Sequence, residues 1–172
     1  MIRPFTSLFV FLGLSLSAAA AFAQAPEIAW PAGWQVEALP ETSPQVSRQR
    51  AVKTDAEGNQ VMVMELTMTH VESGHQVNLQ GVLLEMRKSV QKDFFQGGYQ
   101  SVCTRVHPSV LGSLSALETT CTVTENGRHV LSQTLVAAVD AQNAYVLSYA
   151  GQAEVFKQSA DEVAAVRNGL KL

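Results

Sequence analysis

The segment LSALETTCTVTENGRHVLSQTLVAAV, residues 114–139, predicts the centre of a β-sheet. Two stretches with strand-like alternation flank the dipeptide Asn126-Gly127. Asn-Gly between such segments is the strongest short-range signal for a β-hairpin, and it favours a type I′ turn. A two-residue loop pairs Glu125 with Arg128, whose opposite charges attract each other across the strands. We therefore expect a long hairpin here, beside which the other strands are placed.

Hydrophobic periodicity predicts the elements on either side of this hairpin. Apolar residues at i, i+3 and i+4 indicate amphipathic helices over Val77–Phe95 and Gln152–Leu170. Asn78 is the predicted N-cap of the first helix, and Gly97-Gly98 is its stop. Five more strands are predicted at 34–39, 48–54, 60–71, 99–106 and 144–150. This order gives an α+β fold, a mainly antiparallel sheet of about six to seven strands covered by two long amphipathic helices.

Residues 1–23 have the three-part pattern of a secretory signal peptide. Arg3 supplies the positive start, a mostly apolar stretch follows, and AFA at residues 21–23 forms an A-x-A cleavage site. We expect cleavage before Gln24, a single domain over residues 24–172, and a periplasmic or secreted location. No later stretch approaches the ~20 continuous apolar residues of a transmembrane helix, so the mature chain is not expected to be membrane-embedded.

Cys103 and Cys121 are the two cysteines of the chain. An isolated pair in an exported protein predicts a disulfide, because the compartments outside the cytoplasm are oxidising. Counting back from the hairpin turn places Cys121 opposite Ser132. The bridge therefore cannot lie within the hairpin, and we expect it to join the first hairpin strand to the strand over 99–106.

The charge of the mature chain argues against nucleic-acid binding. The signal peptide contains one arginine, which leaves 11 basic and 15 acidic residues and a net charge of −4. A nucleic-acid-binding protein needs a basic face, which this composition does not supply.

Two segments carry a resemblance to a known family. PAGWQV at residues 31–36 opens the domain, and NAYVLSYA at residues 143–150 leads into the closing helix. This arrangement resembles the PsbP-like and DcrB-like family of small α/β/α domains, and more narrowly a group of uncharacterised secreted proteins from pseudomonad-type bacteria. The resemblance implies an α/β/α sandwich with mostly non-enzymatic roles in binding and assembly. DcrB-like members are often lipoproteins, whereas the residue directly after the expected cleavage site here is Gln24 and not a cysteine. The disulfide is not a general family feature.

The residues with the most suggestive chemistry lie on one predicted strand. Period-two alternation puts Met62, Met64, Met68 and His70 on the same face. Thioether and imidazole ligands suit Cu(I), so this face is a candidate copper site, and His75 could add a ligand. The alternative is that the methionines pack in the core, where flexible thioether side chains fill irregular gaps. His70 and His75 alone are a weak zinc signal, because zinc sites show tighter paired spacings.

Catalytic motifs are not found in the sequence. No serine lies in a nucleophile elbow, and no glycine-rich phosphate loop is present. Glu65 and Glu118 lie within apolar strands, where we expect them on a solvated face or paired with a neighbour such as Arg105. Trp30 and Trp34 bracket the start of the domain, and we expect them to fix the first strand to the core rather than to form a ligand platform.

The sequence therefore favours a non-enzymatic binding or interaction module of the periplasm or extracellular space. Its partner is an unknown protein or small ligand, and no cofactor is predicted. Three alternatives stay open: copper handling through the methionine face, a hydrolase whose site one sequence does not reveal, and a secreted factor that acts on host cells.

Overall fold

The computed structural model describes residues 26–40, 43–72 and 74–172. The predicted signal peptide over 1–23 lies outside these residues. None of the described helices is both long enough and apolar enough to cross a membrane.

One antiparallel sheet of eight strands organises the described residues. The strands are β1 (Gln35–Glu37), β2 (Val46–Thr54), β3 (Gln60–His70), β4 (Gln100–Cys103), β5 (His107–Leu111), β6 (Leu114–Glu125), β7 (Arg128–Val139) and β8 (Asn143–Gln152). The helices are α1 (Leu79–Gln96), α2 (Ala153–Gln158) and α3 (Ala160–Gly169). The sheet order is β1-β2-β3-β8-β7-β6-β4, and β5 also pairs with β6. The predicted α+β fold with a mainly antiparallel sheet is therefore confirmed.

The eighth strand, β5, was not among the predicted strands, because His107-Pro108 directly follows the strand expected over 99–106 and proline cannot donate to a sheet ladder. Pro108 lies opposite Leu117 on β6. Proline is tolerated on an edge strand because its missing N–H faces solvent. The outer edge of β6 is thus shared by β4 along one half and by β5 along the other.

The β6–β7 hairpin has the predicted turn but a different register. Asn126 and Gly127 have φ values of 50° and 78°, as a type I′ turn requires, and Glu125 pairs with Arg128. An irregularity next to Thr124 skips one residue of β7, and Cys121 consequently lies opposite Gln133. The prediction that Cys121 faces Ser132 was wrong because counting from the turn assumes an uninterrupted ladder.

The disulfide joins the strands that were predicted. Cys103 on β4 and Cys121 on β6 are direct partners in the sheet and are bonded to each other. Cys121 is fully buried. The bridge therefore fixes the short edge strand β4 to the central hairpin.

Helices cover both faces of the sheet. On one face, called the α1 face, Leu83 of α1 packs on Leu135 and Ala137. On the other, called the α3 face, Val163 and Val166 of α3 pack into the larger core. That core consists of Trp34, Ala51, Met62, Met64, Leu66, Leu111, Ala116, Val136, Ala138, Tyr145, Leu147, Tyr149, Val163, Val166 and Leu170. The result is the expected α/β/α sandwich.

The helix ends follow local chemistry. The Asn78 side chain accepts a hydrogen bond from the Gly81 N–H at 3.0 Å, which confirms the predicted N-cap. The single C-terminal helix predicted over 152–170 is divided at Ser159 into α2 and α3. Ser159 is fully buried, and its hydroxyl oxygen accepts a hydrogen bond from Lys53 at 3.1 Å. Serine favours such polar contacts over a regular helix interior.

Candidate functional site

The methionine face of β3 lies in the core. Met62 is 1% exposed, Met64 is fully buried, and Met68 is half-buried. They lie on the α3 face and not on the face that α1 covers. His70 and His75 are exposed, so the structure does not bring the thioethers and imidazoles together in one open site.

The candidate zinc ligands lie near one another, but they are not arranged around a metal site. His70, Glu72 and His75 line the same shallow cavity of about 410 Å³. Within the described residues, however, no group of three or more histidine, cysteine or carboxylate side chains is arranged to hold a metal ion.

Among the described residues, one serine and one histidine side chain lie within hydrogen-bonding distance of each other, on β7. His129 Nε2 lies 2.9 Å from Ser132 Oγ and 3.2 Å from the Leu131 carbonyl oxygen. The imidazole tautomer decides whether Nε2 donates to the Leu131 carbonyl or accepts from the Ser132 hydroxyl. Ser132 is also 5% exposed, which leaves its hydroxyl little access to a substrate.

Trp34 fixes the first strand to the core, as predicted. It is 8% exposed, and its Nε1 donates to Glu162 of α3 at 2.9 Å. Lys53 donates to the same carboxylate at 2.9 Å and lies 5.9 Å from the Trp34 ring centre. The hydrogen bonds from Lys53 and Trp34 hold the pKa of Glu162 below its ordinary value. This network therefore anchors α3 over β1 and β2.

A long groove runs beside α1, because the helix covers only half of its face of the sheet. Among the described residues, no Cα of α1 lies within 8 Å of β2, β3 or β8. Cavities of about 590, 600 and 410 Å³ adjoin along this open half. Each pair of cavities has a lining residue in common: Met86 for the first and second, Val146 for the first and third, and Val82 for the second and third. From Val63 to Thr69 the groove follows β3 for roughly 20 Å.

The arginines beside this groove are paired with carboxylates. Arg48 pairs with Glu65 at 2.9 Å, and Arg50 pairs with Glu37 at 3.0 Å. Glu65 is therefore paired with a neighbouring cation, as expected. Glu72 and Glu85 also line the groove, so it offers no unpaired arginine to an anionic ligand.

A second concavity lies on the α3 face, between β5, β8 and the last two helices. We call it the α3 pocket. Its volume is about 570 Å³, and its surface is mainly apolar. The lining residues are Val110, Tyr149, Phe156, Lys157, Ala160, Val163, Ala164, Arg167 and Asn168.

Aromatic rings form one wall of the α3 pocket. Tyr149 of β8 and Phe156 of α2 stack with their ring centres 5.5 Å apart and their planes inclined by 22°. Tyr149 is 7% exposed, and burial raises the pKa of its hydroxyl, which therefore stays protonated at neutral pH. The stacked rings therefore give the pocket an aromatic wall with one hydroxyl group.

Arg167 supports the pocket from behind and fastens α3 to the sheet. Its guanidinium lies 2.7 Å from Glu118 of β6, with side chains 17% and 15% exposed. It also donates to the Val110 carbonyl at 2.8 Å and to the Ser109 hydroxyl. Glu118 is thus paired, as expected, but with Arg167 rather than with Arg105.

Lys157 contributes a second cation to the α3 pocket. It is exposed, and among the described residues no acidic side chain forms an ion pair with it. The sequence patterns had indicated no role for Lys157 or Arg167. Only the register of β5 against β6, which brings Ser109 near Glu118, could have indicated this site.

Comparisons with known proteins confirm the PsbP-like fold. A family model described as a domain of unknown function, DUF4946, matches residues 25–172. The cyanobacterial PsbP protein (CyanoP) from Synechocystis sp. PCC 6803 has a similar structure, with a TM-score of 0.62, 12% identity, and coverage of 94% of this chain and 98% of that one. LpqN, involved in cell envelope biogenesis of Mycobacterium tuberculosis, gives a TM-score of 0.56 at 12% identity, covering 85% of this chain and 82% of its own. Curated protein sequences give no match.

Proposed function

The chain belongs to the DUF4946 family, and we propose that it is a non-enzymatic binding module of the periplasm or extracellular space that holds a small ligand in the α3 pocket. The observation that carries this proposal is the pocket itself. A concavity of about 570 Å³ with mainly apolar walls and a few polar groups has the size and composition of small-molecule sites.

The framework around the pocket supports a binding role. Arg167 is held by Glu118 and the Val110 carbonyl, and Tyr149 is packed against Phe156. Walls that are already fixed cost little conformational entropy when a ligand binds.

The lining residues support a non-enzymatic role. They include no histidine, cysteine or carboxylate, the side chains that most often act as bases or nucleophiles. The serine–histidine pair of β7 does not line this pocket.

Export is supported by the disulfide between Cys103 and Cys121, because such bridges persist in oxidising compartments. LpqN, a structural neighbour, is involved in cell envelope biogenesis, which accords with an envelope location. Fractionation of cells that carry the protein tests this point. Recovery from the periplasm alone would argue against a secreted factor that acts on host cells, and recovery from the cytoplasm would contradict export.

A variant that fills the pocket tests the binding role. Ala164 lines the pocket, whereas the adjacent Ala165 is exposed on the same helix and does not. We expect Ala164→Phe to abolish binding of compact aromatic probes in calorimetry, while Ala165→Phe, the matched control, retains it. Circular dichroism checks that both variants are folded. Equal binding by the two variants, or no binding to the wild-type protein, would overturn the proposal.

A further inference from the structure

We infer that the α3 pocket selects a small anionic ligand with a compact apolar body, an aromatic carboxylate being the simplest example. This inference rests on the proposed function, since it names the ligand class of the same pocket. Two observations carry it: the aromatic wall and the excess of positive charge among the lining residues.

The charge excess follows from counting the ionisable side chains. Lys157 and Arg167 line the pocket, no carboxylate lines it, and Glu118 neutralises only Arg167. Glu154 and Asp161 lie three residues before and four residues after Lys157 on the helices, but both are exposed and neither forms an ion pair with it. Their attraction is therefore screened by water and salt. One positive charge at the mouth of the pocket remains without a close counterion among the described residues.

The geometry separates the two halves of such a ligand. The apolar body would lie on the Tyr149–Phe156 wall, against Val163. Its anionic group would remain at the rim, where Lys157 and the Asn168 amide supply donors and water still reaches it. Burying an anion deeper would cost free energy unless it were paired, so the exposed rim is the favourable position.

The groove beside α1 does not make the same selection. Its lining arginine, Arg50, is paired with Glu37, and the carboxylates Glu65, Glu72 and Glu85 also line it, so an anionic ligand is not favoured there. A preference for anions therefore identifies the α3 pocket as the binding site.

Two nearly isosteric probes, 2-naphthoate and 2-naphthamide, test the inference by calorimetry on the exported protein. We expect the carboxylate to bind about tenfold more tightly than the amide, a difference that corresponds to a single favourable charge interaction. Lys157→Gln should reduce the affinity for 2-naphthoate about fivefold and leave that for the amide unchanged. Lys92→Gln is the matched control, because Lys92 is an exposed lysine on α1 and its loss changes the net charge equally. Ala164→Phe should remove binding of both probes.

The outcomes separate the ligand class from the binding role. If both probes bind equally and only Ala164→Phe abolishes binding, the anionic class is wrong and the binding role stands. If Lys157→Gln and Lys92→Gln weaken 2-naphthoate equally, the effect is one of net charge and the inference is again overturned. If neither probe binds at about 1 mM, both the inference and the proposed pocket fail.

Discussion

Arg167 on α3 and Glu118 on β6 form an ion pair with 2.7 Å between guanidinium nitrogen and carboxylate oxygen, although 48 residues lie between them in the chain. The pair fastens the last helix to the outer part of the sheet and closes the rear of the α3 pocket. Because both side chains are more than four-fifths buried, each charge depends on the other for its compensation.

Removal of one partner should therefore destabilise the protein. We expect Arg167→Gln to lower the free energy of unfolding by about 2 kcal/mol, since it leaves the Glu118 charge buried and unpaired. Lys171→Gln is the control, because Lys171 pairs with Glu27 at the surface and such pairs contribute less than about 1 kcal/mol. Urea unfolding measures both. An Arg167→Gln effect no larger than that of the control would contradict a stabilising role for the pair.

Reduction of the disulfide should destabilise the edge of the sheet. The bridge joins residues 18 apart, for which the chain-entropy model gives about 3 kcal/mol. We expect the urea midpoint to fall on reduction, and the Cys103→Ser/Cys121→Ser double variant to match the reduced protein. Coincident unfolding curves for the oxidised and reduced protein would show that β4 needs no covalent tether.

The methionine face should behave as core and not as a copper site. We expect Met64→Ala to cost about 2–5 kcal/mol, because a fully buried side chain leaves a cavity behind. His75→Ala, at an exposed position, should leave stability nearly unchanged. Titration with Cu(I) should show no stoichiometric binding. Binding that disappears in His75→Ala would instead support the copper hypothesis.

The Glu162 carboxylate should make stability depend on pH in the acid range. Hydrogen bonds from Lys53 and Trp34 lower its pKa below the ordinary value of 4.5, so its contribution is present above that value. This contribution is lost as the pH falls through the lower pKa of the folded state. Glu162→Gln should be less stable than the wild type at pH 6, with the difference narrowing below pH 4.5. A difference in stability that stays constant with pH would contradict this assignment.

Gly112 should resist substitution because α3 ends against it. Its φ is +56°, and an added Cβ would lie 2.5 Å from the Leu170 carbonyl oxygen. Gly58 also has a positive φ, +86°, but an added Cβ there meets nothing within 4 Å. We expect Gly112→Ala to cost clearly more than Gly58→Ala, whose cost of about 1–2 kcal/mol reflects backbone strain alone. Equal thermal shifts in calorimetry would show that the contact with α3 adds nothing.

Local signals in the sequence predicted the elements well. Asn126-Gly127 gave the hairpin and its turn type, and Asn78 gave the start of α1, because each acts through bonds to its own neighbours. The register beyond the turn was not predicted, since a skipped residue in β7 changes every later pairing without a clear mark in composition. β5 was not predicted, because a proline was expected to end strand pairing. On an edge strand, where its missing N–H faces solvent, Pro108 leaves the pairing with β6 intact.

The candidate site was the part least accessible from sequence. Strand alternation showed that Met62, Met64 and Met68 share a face, but not which helix covers it. Glu118 attracted notice as a carboxylate in an apolar strand, yet its partner is Arg167, on a helix distant in sequence. Lys157 and Arg167 line a common pocket only after α3 has packed beside β5.

The sequence by itself determined the α+β class, the central hairpin and the Cys103–Cys121 pairing, because alternation, turn chemistry and the scarcity of cysteines are local or countable properties. Tertiary structure alone decided which face each helix covers and where a pocket remains. The physical reason is that burial depends on the surface that two elements have in common. An amphipathic helix has one apolar stripe and a sheet has two faces, so only packing of the whole chain determines which of them meet.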